Sequence, residues 1–261
     1  MNEFLDLTVR LGLRKVELRN DLDARDPVDD MKPSDFARMA SDRGVEVISI
    51  NALQKFNLAA ARVKATEELK KLLDLATLIG CKAVILCPNN DSADARSQTR
   101  RVSETVDALA AFGFLFQVAG ILGYVEPLGF ATSSLASLVV AQEAIRKSDY
   151  SCYRVVHDTF HHYIGPEDQS ILGTTYEVST TGLVHVSGVE SDIPTQAYRD
   201  EHRILAGPGD RMKSREQIVC LDKLGYTGDF SFEPFSHVVQ RLGRTELAAA
   251  VRVSLDYLIA R

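Results

Sequence analysis

Short β-branched runs alternate along this chain with longer stretches of helical period, and that alternation leaves few folds open. Parallel strands need a long crossover between them, usually a helix, so repeated βα units imply a mainly parallel sheet with helices packed on it. The strand-like runs are residues 15–19, 46–51, 83–87, 122–126, 154–158, 183–186 and 229–233. Helical period covers 4–11, a segment beginning after Pro33-Ser34, 58–79 before the stop at Gly80, 97–119, 134–147, 215–224 and 246–259. Between 158 and 183 lies a Gly/Pro-bearing stretch whose helix is poorly defined. A β/α barrel wants eight strands. Because the chain opens on the helix-like Phe4-Leu5-Asp6-Leu7, the strand not found is the first one. The reading is an α/β protein with a (β/α)8 TIM barrel, its first strand missing or truncated at the N-terminus. A doubly wound open sheet is the alternative, but the turn Leu18-Arg19-Asn20-Asp21 lacks the Gly-rich loop such a sheet normally carries after its first strand.

Composition narrows the function classes. The 261 residues, 45% hydrophobic and 25% charged, show no linker or compositional shift, so 1–261 reads as a single barrel domain. A formal net charge of -6 without a clustered basic face gives no electrostatic reason to expect nucleic acid. No apolar stretch reaches the roughly 18 residues needed to span a bilayer, the candidate 118–125 being broken by Gly120 and Gly123, so no membrane span is expected. The first residues carry acid where a secretory signal carries base, which predicts a cytoplasmic protein. Cys81, Cys87, Cys152 and Cys220 include no Cys-x-x-Cys pair, and read as buried hydrophobes rather than a disulfide frame or thiolate metal site.

In a barrel the C-terminal strand ends converge on one mouth, so the polar residue closing each strand is the place to look for chemistry. The strands close on Glu17 and Arg19, Asn51, Cys87 with Asn89, Glu126, Asp158, His185 and Glu233. Glu126, Asp158, His185 and Glu233, from four consecutive strands, form a three-carboxylate, one-imidazole set suited to one divalent ion such as Mn, Mg, Co or Zn. Each has an ordinary reading alone: Asp158 as a cap of the next turn, His185 as a satisfied core histidine, the glutamates as strand-end carboxylates. Glu126 and Glu233, however, each follow an apolar run and precede proline, where a buried carboxylate must be paired or metal-bound. His157 alternates with Asp158 and faces the other way. In the following loop, His161 is a candidate donor to a substrate oxygen, with His162 its competitor. Arg203 is the loop cation for a polyol or carboxylate, although an arginine there is by default a solvated surface residue. Arg19 and Asn51, at the first two visible strand ends, complete the candidate substrate-binding set. Gly207-Pro208-Gly209-Asp210 lacks the Lys-Ser/Thr of a phosphate-cradling loop.

These residues resemble the xylose-isomerase-like TIM-barrel family of sugar isomerases and epimerases, nearest to its inosose (2-keto-myo-inositol) isomerase branch of inositol catabolism. The resemblance runs through Val16-Glu17-Leu18-Arg19, Ser49-Ile50-Asn51-Ala52-Leu53 with Phe56-Asn57, Glu126-Pro127-Leu128-Gly129, Asp158-Thr159-Phe160-His161, Val184-His185-Val186, Asp200-Glu201-His202-Arg203, Gly207-Pro208-Gly209 and Phe232-Glu233-Pro234-Phe235. It implies that Glu126, Asp158, His185 and Glu233 hold one divalent metal and that Glu126 and Glu233 are also the acid/base pair. The implied activity is isomerisation or epimerisation of a keto-inositol or keto-sugar by proton transfer through an enediolate, with a small polyol or keto-sugar as partner and a homo-oligomer left open. Two stretches depart from the pattern. Relatives begin with a strand upstream of what is here Met1, which predicts that residues before Met1 or a partner chain fill the gap; and Ser187-Gly188 stands where many relatives are acidic, which bears on the support around the ligands. Two rivals share the same residues: an inosose dehydratase-type lyase, in which the enediolate expels a β-hydroxyl, and a non-catalytic sugar-binding subunit. Cleavage at abasic DNA sites also occurs on this barrel with three metals and several further histidines, for which a chain with six histidines and an acidic balance is poorly equipped.

Overall fold

A computed structural model describes residues 1–20 and 26–260; Asp21 of the segment Leu18-Arg19-Asn20-Asp21 lies outside them. Seven strands form one sheet: β1 (Lys15–Arg19), β2 (Glu46–Leu53), β3 (Ala83–Leu86), β4 (Leu122–Val125), β5 (Tyr153–Asp158), β6 (Thr181–Val186) and β7 (Asp229–Phe232). They pair in sequence order and every pair is parallel. The helices are α1 (Asn2–Arg10), α2 (Pro33–Asp42), α3 (Arg62–Ile79), α4 (Gln98–Ala119), α5 (Leu138–Ser148), α6 (Thr159–Ile164), α7 (Ser214–Lys223), α8 (His237–Gln240) and α9 (Arg244–Ile259). The result is a nearly closed α/β barrel. Among the described residues β1 and β7 share no backbone ladder, and side chains bridge them instead: Lys15 Nζ lies 2.6 Å from Asp229 Oδ1, and an Arg19 guanidinium nitrogen 2.6 Å from Glu233 Oε1.

Strand side chains alternate between the two faces of the sheet, and this parity builds the mouth. Val47, Val84, Val125, Val155, Val184 and Val186 belong to the core shared with helix residues such as Leu69, Leu73, Leu109 and Phe112. Ile48, Ala52, Ile85, Cys87, Val156 and Leu183 pack on one another in a second cluster, the barrel interior. Two residues further along the interior row from Val156 and Leu183 come Asp158 and His185, so apolar layers below support polar groups at the rim.

Helix ends follow local chemistry. Gly80 and Gly120 stop α3 and α4 in left-handed backbone with φ of 68° and 67°, conformations that cost glycine nothing. Helix α5 begins at Leu138, not at 134, because Ser137 is the residue whose side chain accepts the Val140 amide. Ser134 instead donates its amide to the Asn89 carbonyl and its hydroxyl to Asn57 Oδ1, tying this loop to the one after β3. The stretch from Thr159 is helix α6 rather than loop, started by Asp158 and ended at Gly165. Among the described residues one helix, α4, is long and apolar enough to cross a bilayer by length and composition alone, with mean hydropathy 1.3. Its charged residues, Arg100, Arg101, Glu104 and Asp107, all lie in its N-terminal half. Its Leu109, Phe112 and Phe116 are buried in the barrel's outer core, while Phe114 and Val118 are exposed.

Candidate metal centre and active site

Glu126, Asp158, His185 and Glu233 meet at the C-terminal mouth, and one ligand atom from each lies within 4.8 Å of all the others. His185 Nδ1 is 2.9 Å from Glu126 Oε1, 3.2 Å from Glu233 Oε2 and 3.9 Å from Asp158 Oδ2. All four side chains are buried, His185 completely. Asp158 does two jobs at once: Oδ1 accepts the amides of Phe160 and His161 as the cap of α6, leaving Oδ2 turned to the cluster. His157 faces the other way and meets Gln217 of α7 at 3.0 Å.

Such a concentration of buried acid needs compensation, because an unpaired buried carboxylate costs several kcal/mol. Arg203 supplies part of it. It is not a solvated loop cation: only 1% exposed, it donates to Asp158 Oδ2 at 2.6 Å and to Glu233 Oε2 at 2.7 Å, while its Nε donates to Ser187 Oγ. The guanidinium lies 4.9 Å and 4.8 Å from the ring centroids of Phe160 and Phe235. Ser187 thus stands where the sequence pattern led one to look for acid, and it holds the arginine. Arg19 and Asn51 both donate to Glu233 Oε1, at 2.6 and 2.8 Å. Sequence reasoning gave Glu17 no role, yet its Oε2 lies 3.2 Å from His185 Nε2 and it accepts the Ser49 hydroxyl. The alternation in Val16-Glu17-Leu18-Arg19, which puts Glu17 and Arg19 on one face, was the signal for it. The Cys87 thiol completes the wall, 3.6 Å from Glu126 Oε2.

The donor set fits a divalent cation by charge as well as by position. Counting Glu17 with the three clustered carboxylates gives four formal negative charges, and Arg19 and Arg203 give two positive. One doubly charged ion with a neutral imidazole brings the total to zero. Burial drives the Glu126 carboxyl up, with the charge of Glu233 adding to it and His185 opposing it. Burial also lifts Asp158 to about 6 despite Arg203. Glu233 is held well below its ordinary value, since His185 and Arg203 outweigh burial. Burial opposes charge on His185, but Glu233, Glu17 and Glu126 together push its pKa well above 6.5.

His161 and His162 are separated by their surroundings. Burial brings both to about 4, but His161 also feels Arg203, Glu126 and Glu233, whereas His162 feels the distant Asp168. His161 therefore stands on the cluster side, its ring edge-on to Phe130 and Phe160 and its Nδ1 without a partner. His162 lies against the His157 ring, 4.9 Å between centroids.

The model of the xylose isomerase-like TIM barrel family matches residues 5–260. The chain belongs to this family. A xylose isomerase domain-containing protein of Salmonella typhimurium LT2 is 35% identical, with 99% of this chain and 92% of that one superposed at a TM-score of 0.92. The IolI protein, solved with a bound zinc atom, is 18% identical over 100% of this chain and 93% of its own, TM-score 0.89. D-psicose 3-epimerase of Clostridium cellulolyticum H10, solved with D-tagatose, is 15% identical over 98% and 92%, TM-score 0.76. At such identities these two carry the fold alone. No curated protein matches the chain.

Proposed function

We propose that the whole chain acts as one barrel unit, a divalent-metal-dependent isomerase or epimerase of a keto-sugar or keto-inositol. The observation that carries this reading is the buried cluster of Glu126, Asp158, His185 and Glu233, one ligand atom from each within 4.8 Å of the others, in a chain of this family. These four side chains would hold the ion. The chemistry it supplies when bound is Lewis acidity, polarising a carbonyl and stabilising negative charge that develops on oxygen. The chain supplies the rest. Glu126 and Glu233 are the carboxylates proposed to take a proton from the carbon beside the carbonyl and return it on the same or the neighbouring carbon. Arg19, Asn51 and Arg203 orient Glu233, and together with His161 they are the proposed contacts to substrate hydroxyls. The surrounding apolar wall of Phe160, Phe235 and Cys87 limits water at the proton-transfer step. No redox cofactor enters such a scheme.

The test is NMR in D2O with a panel of inososes and ketoses in the presence of Mn²⁺. Deuterium should enter substrate C–H bonds while an isomer or epimer forms. Glu126→Gln and Glu233→Gln should each lower turnover by at least about 10²-fold, the lower end of what general acid/base catalysis contributes, with metal still bound. Loss of water from the substrate would identify a lyase instead, and absence of deuterium incorporation with every ligand that binds would leave only a binding role.

A further inference from the structure

The ring of His185 has two nitrogens in different surroundings. Nδ1 faces the carboxylates of Glu126, Glu233 and Asp158. Nε2 points the opposite way, 3.2 Å from Glu17 Oε2. Imidazole that ligates a metal through one nitrogen carries its proton on the other, and an acceptor for that proton fixes both tautomer and ring orientation. Glu17 is well placed for the task, since it is itself held: the Ser49 hydroxyl of β2 donates to its carboxylate. It sits on β1, where β1 and β7 meet without a backbone ladder, so the same carboxylate ties His185 on β6 to β1 across that seam.

We propose that Glu17 is a positioning residue for the metal centre: it accepts the Nε2–H of His185, so that His185 presents Nδ1 to the ion, and Ser49 holds it in place. This rests on the metal-binding reading of the cluster. It adds a residue outside the ligand set and names the ligating atom.

The experiment measures Mn²⁺ and Zn²⁺ binding to the full chain by isothermal titration with chelator competition, and the ¹⁵N shifts of His185 in the Zn²⁺-loaded protein. In the parent, the shifts should report a metal-bound Nδ1 and a protonated Nε2. Glu17→Ala should weaken metal binding by about 10- to 100-fold, the usual cost of removing the partner of a ligating histidine. Glu17→Gln keeps an acceptor oxygen without the charge, and should recover part of the affinity and the parental ¹⁵N pattern. If Glu17→Ala does not fold, Glu17→Gln and Ser49→Ala decide, each with a weakened Kd expected. A merely structural Glu17 would lower thermal stability and leave the Kd and the ¹⁵N pattern of the folded fraction unchanged; that result overturns the proposal, as does ligation through Nε2. A parent that binds neither ion overturns both this proposal and the metal reading, whereas a parent that binds with unaffected variants overturns this one alone.

Discussion

Arg203→Met isolates the charge compensation of the site. Methionine keeps an unbranched, apolar body against Phe160 and Phe235 but removes the cation that Asp158 Oδ2 and Glu233 Oε2 share at 2.6 and 2.7 Å. Breaking a buried pair by deleting one partner leaves the other charge uncompensated and typically costs about 3–5 kcal/mol. A chain of this size loses roughly 2–4 °C in melting temperature per kcal/mol, so the expected drop in chelator-treated protein at pH 7 is on the order of 6–20 °C by calorimetry. A saturating divalent ion should close much of that gap, because it neutralises the same two oxygens and also stabilises by mass action. Arg203→Lys should recover only part of the loss, since one ammonium cannot serve two carboxylates and Ser187 in the geometry of a planar guanidinium. A melting temperature within about 2 °C of the parent in the ion-free protein, or a gap that Mn²⁺ leaves unchanged, would refute the reasoning; the first would mean the carboxylates are neutral without the arginine.

Two further outcomes concern the loops that frame the mouth. Glu104 accepts Arg96 and Arg100 side chains at 2.7 Å each and the Ala59 amide at 3.0 Å, and these contacts overcome its burial to hold it at about 2 against an ordinary 4.5. A carboxyl depressed in the folded state stabilises above its unfolded value and loses that stability as pH falls, here between about pH 4.5 and 2 and by up to roughly 3 kcal/mol, so Glu104→Gln should flatten the stability profile in that window; an unchanged slope by urea titration rules the network out as its source. Gly129 allows no side chain, because a Cβ there would lie 2.0 Å from the His161 carbonyl oxygen and 2.9 Å from the Gly165 amide nitrogen. Gly129→Ala should therefore displace α6, at about 1–3 kcal/mol, with a fall in turnover as His161 moves, and parental values in both a thermal melt and an activity assay would contradict this.

Much of the fold was readable because its cause is periodic. The run 15–19 coincides with β1, and the other strands begin or end within two residues of their sequence limits, since a strand buried on both faces is a short β-branched run between turn residues. The four clustered residues were readable for the same reason: parity puts them inside and the strand end puts them at the mouth. What escaped depends on contacts far apart in sequence. Ser134 and Ser137 are equivalent as candidate caps until one sees that Asn57 and Asn89 take Ser134. Helix α6 has its start and stop signals in Asp158 and Gly165, yet six residues are too few to show a helical period. The burial of Arg203 follows from partners 45 and 30 residues away, and the role of Glu17 from a histidine 168 residues away. Nothing local to Arg203 separates it from a solvated surface charge, and for Glu17 the alternation of β1 gives its face but not its partner.

The compensating donors are also unevenly shared, and this distinguishes the two glutamates. Glu233 Oε1 accepts from Arg19 and Asn51 while Oε2 accepts from Arg203, so both oxygens are committed to cationic or amide donors. Among the described residues, Glu126 meets the Cys87 thiol and His185 and no arginine. The two guanidiniums therefore hold Glu233 down as a carboxylate, while burial pushes Glu126 up, so the pKa values of the two glutamates move apart. Pairs of carboxyl groups whose environments separate their proton affinities are the usual basis for dividing acid and base roles. In this site the division comes from where the arginines enter: one from β1, across the seam, and one from the loop after β6, both on the side of β7. Moving either to Glu126 would make the two carboxyls alike, and with that the site would lose the asymmetry that the proposed proton transfer would use.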